Sequence, residues 1–175
     1  QSLVLFFAPT RCVKVIHPDD DRHLPYKPDY LSEAIPLSAP TALIRDTSQP
    51  AHPPLNIFGE EPAHGWCYYF EKADLAAQMG DWDEITNMAE TAFRFKDEFD
   101  RETASELIPF IQAYAHTDQW ETAYSLSMTA YQASPKMENM LCSIWYYLTQ
   151  STPESISRNN ALSQINTQLG CNILE

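Results

Sequence analysis

His17-Pro18-Asp19-Asp20-Asp21-Arg22-His23 sets three consecutive aspartates between two histidines. A carboxylate cluster of this kind collects a hard cation when its oxygens converge. In extended chain, successive side chains point to opposite sides, so these three converge only in a tight loop, and a solvated acidic loop is the simpler reading. His116 beside Asp118 offers an acid–base couple, although a histidine at a helix end is the more ordinary role for such a residue. Asp97, Glu98, Asp100 and Glu102 read as an exposed connector. GxSxG, HExxH and glycine-rich phosphate-loop patterns are absent, and the four glycines are scattered at Gly59, Gly65, Gly80 and Gly170. Without a nucleophile beside its base or two convergent carboxylates, the chain is expected to carry no catalytic centre, metal or cofactor.

The aromatic runs WCYYF (Trp66 to Phe70) and WYY (Trp145 to Tyr147) present ring faces that stack on a sugar or a peptide. Trp66, Tyr68, Tyr69, Trp145 and Tyr146 form this candidate cluster, and helix packing is the competing explanation. The four cysteines have no CxxC spacing. Cys12 and Cys67 make the better disulfide pair, joining the strands to the first helix, with two buried free thiols as the alternative. Cys142 and Cys171 read as too far apart in level along their helices to bridge unless the tail folds back.

The chain holds 24 acidic against 11 basic residues, a formal charge of −13, with no basic patch. That field repels phosphate backbones, so nucleic acid is excluded as a partner. A hydrophobic fraction of 44% with 12% aromatics predicts a folded core in a chain of 175 residues. The longest apolar run, Leu3 to Ala8, is far short of the roughly 20 residues that cross a bilayer. A start at Gln1 that runs straight into a strand-like stretch reads as a fragment of a longer protein.

Composition divides the chain into residues 1–65, where ten of the 13 prolines lie, and residues 66–175, which are helix-rich; the two are expected to pack as one compact unit. SLVLFFA and RCVKVIH, joined across Pro9-Thr10, predict a strand pair. A short helix is expected over 28–34, and the proline-rich stretch 36–64 is expected to drape over the helices with Leu55, Ile57 and Phe58 as buried anchors. From Trp66 the apolar period becomes 3.6. Trp66, Tyr69, Phe70, Ala73, Ala76 and Ala77 mark a helix stopped by Gly80, and Asp81 caps a second bearing Trp82, Ile85, Met88, Ala89, Ala92 and Phe93. A third begins at about 104–107 with Pro109 near its start, and a fourth carries Trp120, Ala123, Leu126, Ser127, Ala130 and Tyr131. A fifth runs over 136–149, and Ser151 or Thr152 is expected to cap a sixth that ends at Leu169.

Trp82 and Trp120 lie 38 residues apart, as do Ala92 and Ala130, and a fixed period of this size with paired helices predicts a stacked array. QMGDWDEITNMAETAF resembles the turn and second helix of a tetratricopeptide repeat through Gly80, Asp81, Trp82, Ala92 and Phe93; the second copy matches at Tyr114, Trp120, Ala123, Ala130 and Pro135. The period exceeds the usual 34, Ile85 stands in place of a small alanine, Lys72 in place of a large apolar residue, and residues 136–169 match loosely. The resemblance implies a mainly α fold of about three antiparallel helical hairpins in a superhelix, with the strand pair and wrap at its N-terminal side. It also implies that the first helix of each pair lines a concave face, where Phe70, Asp74, Ala77, Ile108, Gln112 and His116 would meet a partner. An open groove without a buried ionisable pair is the signature this implies.

HGWCYYFEKADLAAQMGDWDEI and IPFIQAYAHTDQWETA, preceded by LVLFFAPTRCVKVI and IFGEEP, also resemble the C-terminal region of large bacterial multi-pass membrane proteins. Their preceding segments resemble glycosyltransferases that use polyprenyl-phosphate sugars. This implies a domain held at the membrane by a preceding part and facing the cell exterior. Such a domain would be no enzyme itself, and would bind a protein or peptide, the membrane part of its own chain, or a glycan or lipid-linked sugar, its aromatic clusters then completing an acceptor site.

Overall fold

The computed structural model describes residues 2–40, 53–96 and 98–173. Of the residues discussed above, Gln1, Asp97 and positions 41–52 of the proline-rich stretch lie outside it. Two short strands, β1 (Leu5–Phe6) and β2 (Lys14–Val15), pair antiparallel with Leu5 opposite Val15 and Phe6 opposite Lys14. Thr10 turns the hairpin in left-handed backbone, φ 75°. The 3-10 turn Asp20–His23 and helix α1 (Asp29–Ala34) follow, and then the single-turn α2 (Leu55–Phe58).

The remaining described helices are α3 (Trp66–Met79), α4 (Trp82–Ala92), α5 (Ile108–His116), α6 (Trp120–Ala133), α7 (Glu138–Ser151) and α8 (Ile156–Leu169). α3 packs on α4, α4 on α5, α5 on α6, and α6 on α8, giving a mainly helical protein of packed helix pairs with a small N-terminal sheet. Apolar stripes drive this: Ile85, Ala89 and Ala92 of α4 bury fully, as do Ala123 and Ala130 of α6 and Ile144, Trp145 and Leu148 of α7.

The helix ends follow local chemistry. Gly80 leaves α3 in left-handed backbone at φ 74°, and Asp81 caps α4 by accepting the Glu84 N–H at 3.2 Å. One period later Asp118 occupies the place of Gly80 with φ 60°, so the same bend recurs on a residue with a side chain. Pro109 sits in the first turn of α5 behind the 3-10 turn Ala104–Leu107, where its missing N–H leaves no bond unmade. The start of α8 differs from expectation. Ser155, not Ser151 or Thr152, is its cap, accepting the Arg158 N–H at 3.1 Å, because α7 continues through Ser151 and uses up the earlier candidates.

Two further expectations fail. Leu55, Ile57 and Phe58 are no anchors: they are 69%, 71% and 70% exposed, since one helical turn between prolines and Gly59 offers too short a stripe to reach the core. Cys142 and Cys171 do form a disulfide, beside Cys12–Cys67, so all four cysteines are bridged. The tail folds back after Gly170, in left-handed backbone at φ 68°, and carries Cys171 to α7. Such bridges fit an oxidising compartment. Among the described residues no helix is long and apolar enough to cross a membrane.

Candidate functional site

The residues expected to line an open groove are mostly covered. Phe70, Asp74, Ile108 and Gln112 are buried, while Ala77 and His116 are half-buried. The cover is the chain's own N-terminal segment. β2 packs on α3, the Asp20–His23 turn packs on α7, and Gln112 of α5 donates to Asp20 at 3.4 Å. Ile16 and Leu24 enter the same core as Ile108 and Ile111.

At the centre of this contact, Lys14 Nζ lies 2.6 Å from Asp74 Oδ1 and 3.4 Å from Asp21 Oδ1, with all three side chains buried. Asp21 Oδ2 accepts the His17 N–H at 2.8 Å. Burial works against the charge on Lys14, but the Asp21 and Asp74 carboxylates outweigh it and hold its pKa above the ordinary value. Burial raises Asp21 to about 6, with Lys14 pulling it down and Asp74 pushing it up. Asp21 is therefore no member of a solvated acidic loop. The sequence HPDDDRH coils into a 3-10 turn that turns one aspartate inward onto a lysine 7 positions earlier. Among the described residues no group of acidic, histidine or cysteine side chains is arranged to hold a metal.

A second buried hub is Glu106, a residue the sequence did not single out. Its carboxylate accepts the Cys12 N–H at 3.0 Å and Trp66 Nε1–H at 2.6 Å, and Lys96 Nζ stands 3.3 Å away. The adjoining cavity, bounded by Phe6, Lys14, Phe70 and Glu106 among others, holds only about 10 Å³, no more than a single water requires. Both charged clusters tie the N-terminal segment to the helices, with Lys14, Asp21, Asp74 and Glu106 buried and Lys96 at the edge.

The aromatic runs split between packing and surface. Trp66 sits among Phe93, Phe99 and Phe110, and Trp145 is buried against Trp120 with its Nε1–H donated to Ser127 at 2.9 Å, so neither indole presents a face to a ligand. Tyr68 and Tyr69 are half-buried. His64 stacks on Tyr68 at 3.6 Å and Phe95 on Tyr69 at 5.6 Å, which occupies these rings from within the chain. Tyr146 and Tyr147 are 58% and 50% exposed. His116 and Asp118 are no couple. The imidazole stacks on Trp82 at 4.2 Å and burial lowers its pKa, whereas Asp118 Oδ1 accepts from Trp120 Nε1–H at 2.7 Å and from the Ser155 and Ser157 hydroxyls.

Open space lies elsewhere. A cleft of about 400 Å³ runs between α6 and α8, lined by Asp118, Gln119, Trp120, Glu121, Tyr124, Ser157, Asn160 and Gln164 with their neighbours. A cavity of about 500 Å³ lies between Pro18, Arg22, Lys27, Ser32 and Ile35, where Lys27 is spent on the Arg22 and Leu24 carbonyls. A shallower hollow of about 340 Å³ lies over Tyr68, Lys72, Glu84 and Asn87. In the first of them the Ser157 hydroxyl donates to Asp118 Oδ1 at 3.2 Å. Comparison with protein-family models, with curated proteins and with solved structures gives no match.

Proposed function

We propose that this chain is a non-catalytic interaction or substrate-positioning domain of a membrane-bound, glycosyltransferase-like protein, built on a tetratricopeptide-like array of three helical hairpins. The expected signature, an open groove without a buried ionisable pair, is not met, since the groove is covered and Lys14 pairs with Asp74 at 2.6 Å in the interior. The observation that carries the reading is instead that Lys14, Asp21, Asp74 and Glu106 are engaged with one another or with backbone and indole N–H groups. None of these four lines the three open cavities, so their charge ties the N-terminal segment to the helices. The covered face of α3, α5 and α7 moves the interaction surface away from the usual concave side of such arrays, onto the outer helices. Two disulfides support a position on the oxidising side of the membrane.

The test uses the natural full-length protein. Protease cleavage of this domain on intact cells, once any outer barrier is opened, together with chemical crosslinking of the domain to a membrane-fraction protein or to its own membrane part, supports the proposal. Cleavage only in inverted vesicles, recovery without membranes, or hydrolysis of a sugar donor by the isolated chain each refutes it.

A further inference from the structure

The cleft between α6 and α8 is an unfinished helix–helix seam. α8 buries Ala161, Leu162, Ile165 and Leu169, yet its positions 157, 160 and 164 are Ser, Asn and Gln, which line the open space opposite Trp120, Glu121 and Tyr124 of α6. Side chains at these spacings share one helix face, so a polar strip stands beside the apolar one that closes the rest of the seam.

The lining tells which chemistry it suits. Asn160 and Gln164 each carry a donor and an acceptor, the pairing pattern of a peptide group, while Gln119, whose Nε2 donates to Thr117 at 3.2 Å, keeps its oxygen as an acceptor. Asp118 and Glu121 supply negative charge, and no Lys, Arg or His is among the lining residues. The one cation on that stretch of α8, Arg158, is turned away, buried and donating to the Thr149 carbonyl at 2.6 Å. Asp118 Oδ1 already serves Trp120, Ser155 and Ser157, while among the described residues Oδ2 and the Glu121 carboxylate have no partner. Both helix starts meet here, and Asp118 and Glu121 answer their partial positive charge with full negative ones. An anion would find no countercharge. A bare ammonium would leave the amide donors unpaired, and a neutral sugar would find no open indole face, since Trp120 is buried, and would leave the carboxylate charge unanswered. An extended peptide with a basic side chain uses all of it: backbone against the carboxamides, cation against the carboxylates.

We infer that the α6/α8 cleft binds an extended, lysine- or arginine-bearing segment of a protein partner, an inference that rests on the interaction reading above and names its surface. The test titrates the isotope-labelled chain, disulfides intact, with acetyl-Ala-Lys-Ala-Lys-Ala-amide, with the same peptide bearing Glu for Lys, and with maltotriose, following backbone amide signals. The lysine peptide is expected to move signals of residues 118–124 and 157–164, and the glutamate peptide to move none. Glu121→Lys is expected to weaken binding at least about tenfold, as reversal of a contacting charge does. Asn160→Ala is expected to weaken it by a smaller factor; both residues are exposed, so the fold is retained. Shifts outside the cleft, equal affinity in Glu121→Lys, silence up to millimolar peptide, or a response to maltotriose alone would each overturn the inference. A persistent crosslink in the natural protein would then leave the interaction reading standing, so the two failures are read separately.

Discussion

Asp21→Asn isolates the charge at the centre of the protein. The folded state holds the Asp21 carboxyl at about 6 against an ordinary 3.8, a gap of about two pH units. At about 1.4 kcal/mol per unit this is on the order of 3 kcal/mol. The sign follows from proton counting. Between pH 3.8 and about 6 the folded chain holds the proton and the unfolded chain has lost it, so unfolding free energy falls as pH rises through that window. His116, whose folded pKa lies below 6.5, contributes the opposite slope over an overlapping range, because the unfolded chain there binds the extra proton. Subtracting the Asp21→Asn curve from that of the parent removes the His116 slope and leaves the carboxyl alone. Asparagine keeps an oxygen for the His17 N–H and leaves Lys14 a single partner, Asp74. Urea unfolding with disulfides intact, followed by circular dichroism from pH 4 to 7.5, measures it. The variant is expected to gain on the parent by about 2.4 kcal/mol across the series, the remainder of the gap lying below pH 4. A flat difference, or a variant that loses ground as pH rises, would refute the claim that burial outweighs Lys14 at Asp21.

Other outcomes follow from the same contacts. Glu106→Ala strips the acceptor from the Cys12 N–H and Trp66 Nε1–H and leaves Lys96 short of a partner, and should cost roughly 3–5 kcal/mol in denaturant unfolding, with Glu106→Gln costing less. Gly80→Ala should cost about 1 kcal/mol from left-handed backbone alone, since an added Cβ meets nothing within 4 Å. Asp118→Ala, at the matching position, should cost more than that because three hydrogen bonds go with it; calorimetry ranks the two. Removing Cys142–Cys171 or Cys12–Cys67 by paired serine substitution should cost roughly 2–4 kcal/mol, somewhat more for the latter, whose cysteines are 55 rather than 29 residues apart.

The helices were readable because each is bounded by residues with strong local preferences: Gly80 and Asp81, Pro109, Gly170. The 38-residue period located the recurring bend even where Asp118 replaced glycine. What was hidden depends on long-range contact. HPDDDRH looks solvated until a lysine from a neighbouring strand is folded over it, and Glu106 reads as one acid among many until Trp66 and the Cys12 N–H arrive from 40 and 94 residues away. The Cys142–Cys171 bridge needed the direction of the tail after Gly170, which helical rise alone does not supply. The candidate groove failed to open for the same reason: the face of α3, α5 and α7 is legible as apolar, and nothing local says that the chain covers it itself.

That self-covering decides where recognition is left to occur. A short helical stack exposes its first-helix face unless something caps it. Here residues 12–24 do so with Ile16 and Leu24 for the apolar floor and Lys14 for Asp74, fastened by the Cys12–Cys67 bridge. Because Ile16 and Leu24 belong to the same core as α5 and α7, the segment is part of the fold and does not behave as a displaceable ligand. A partner of the proposed kind would therefore meet the outer helices, and of the described hollows there only the α6/α8 cleft combines depth with free carboxylates and the carboxamides of Asn160 and Gln164. The hollow over Tyr68 lacks the first, and its rings are already stacked.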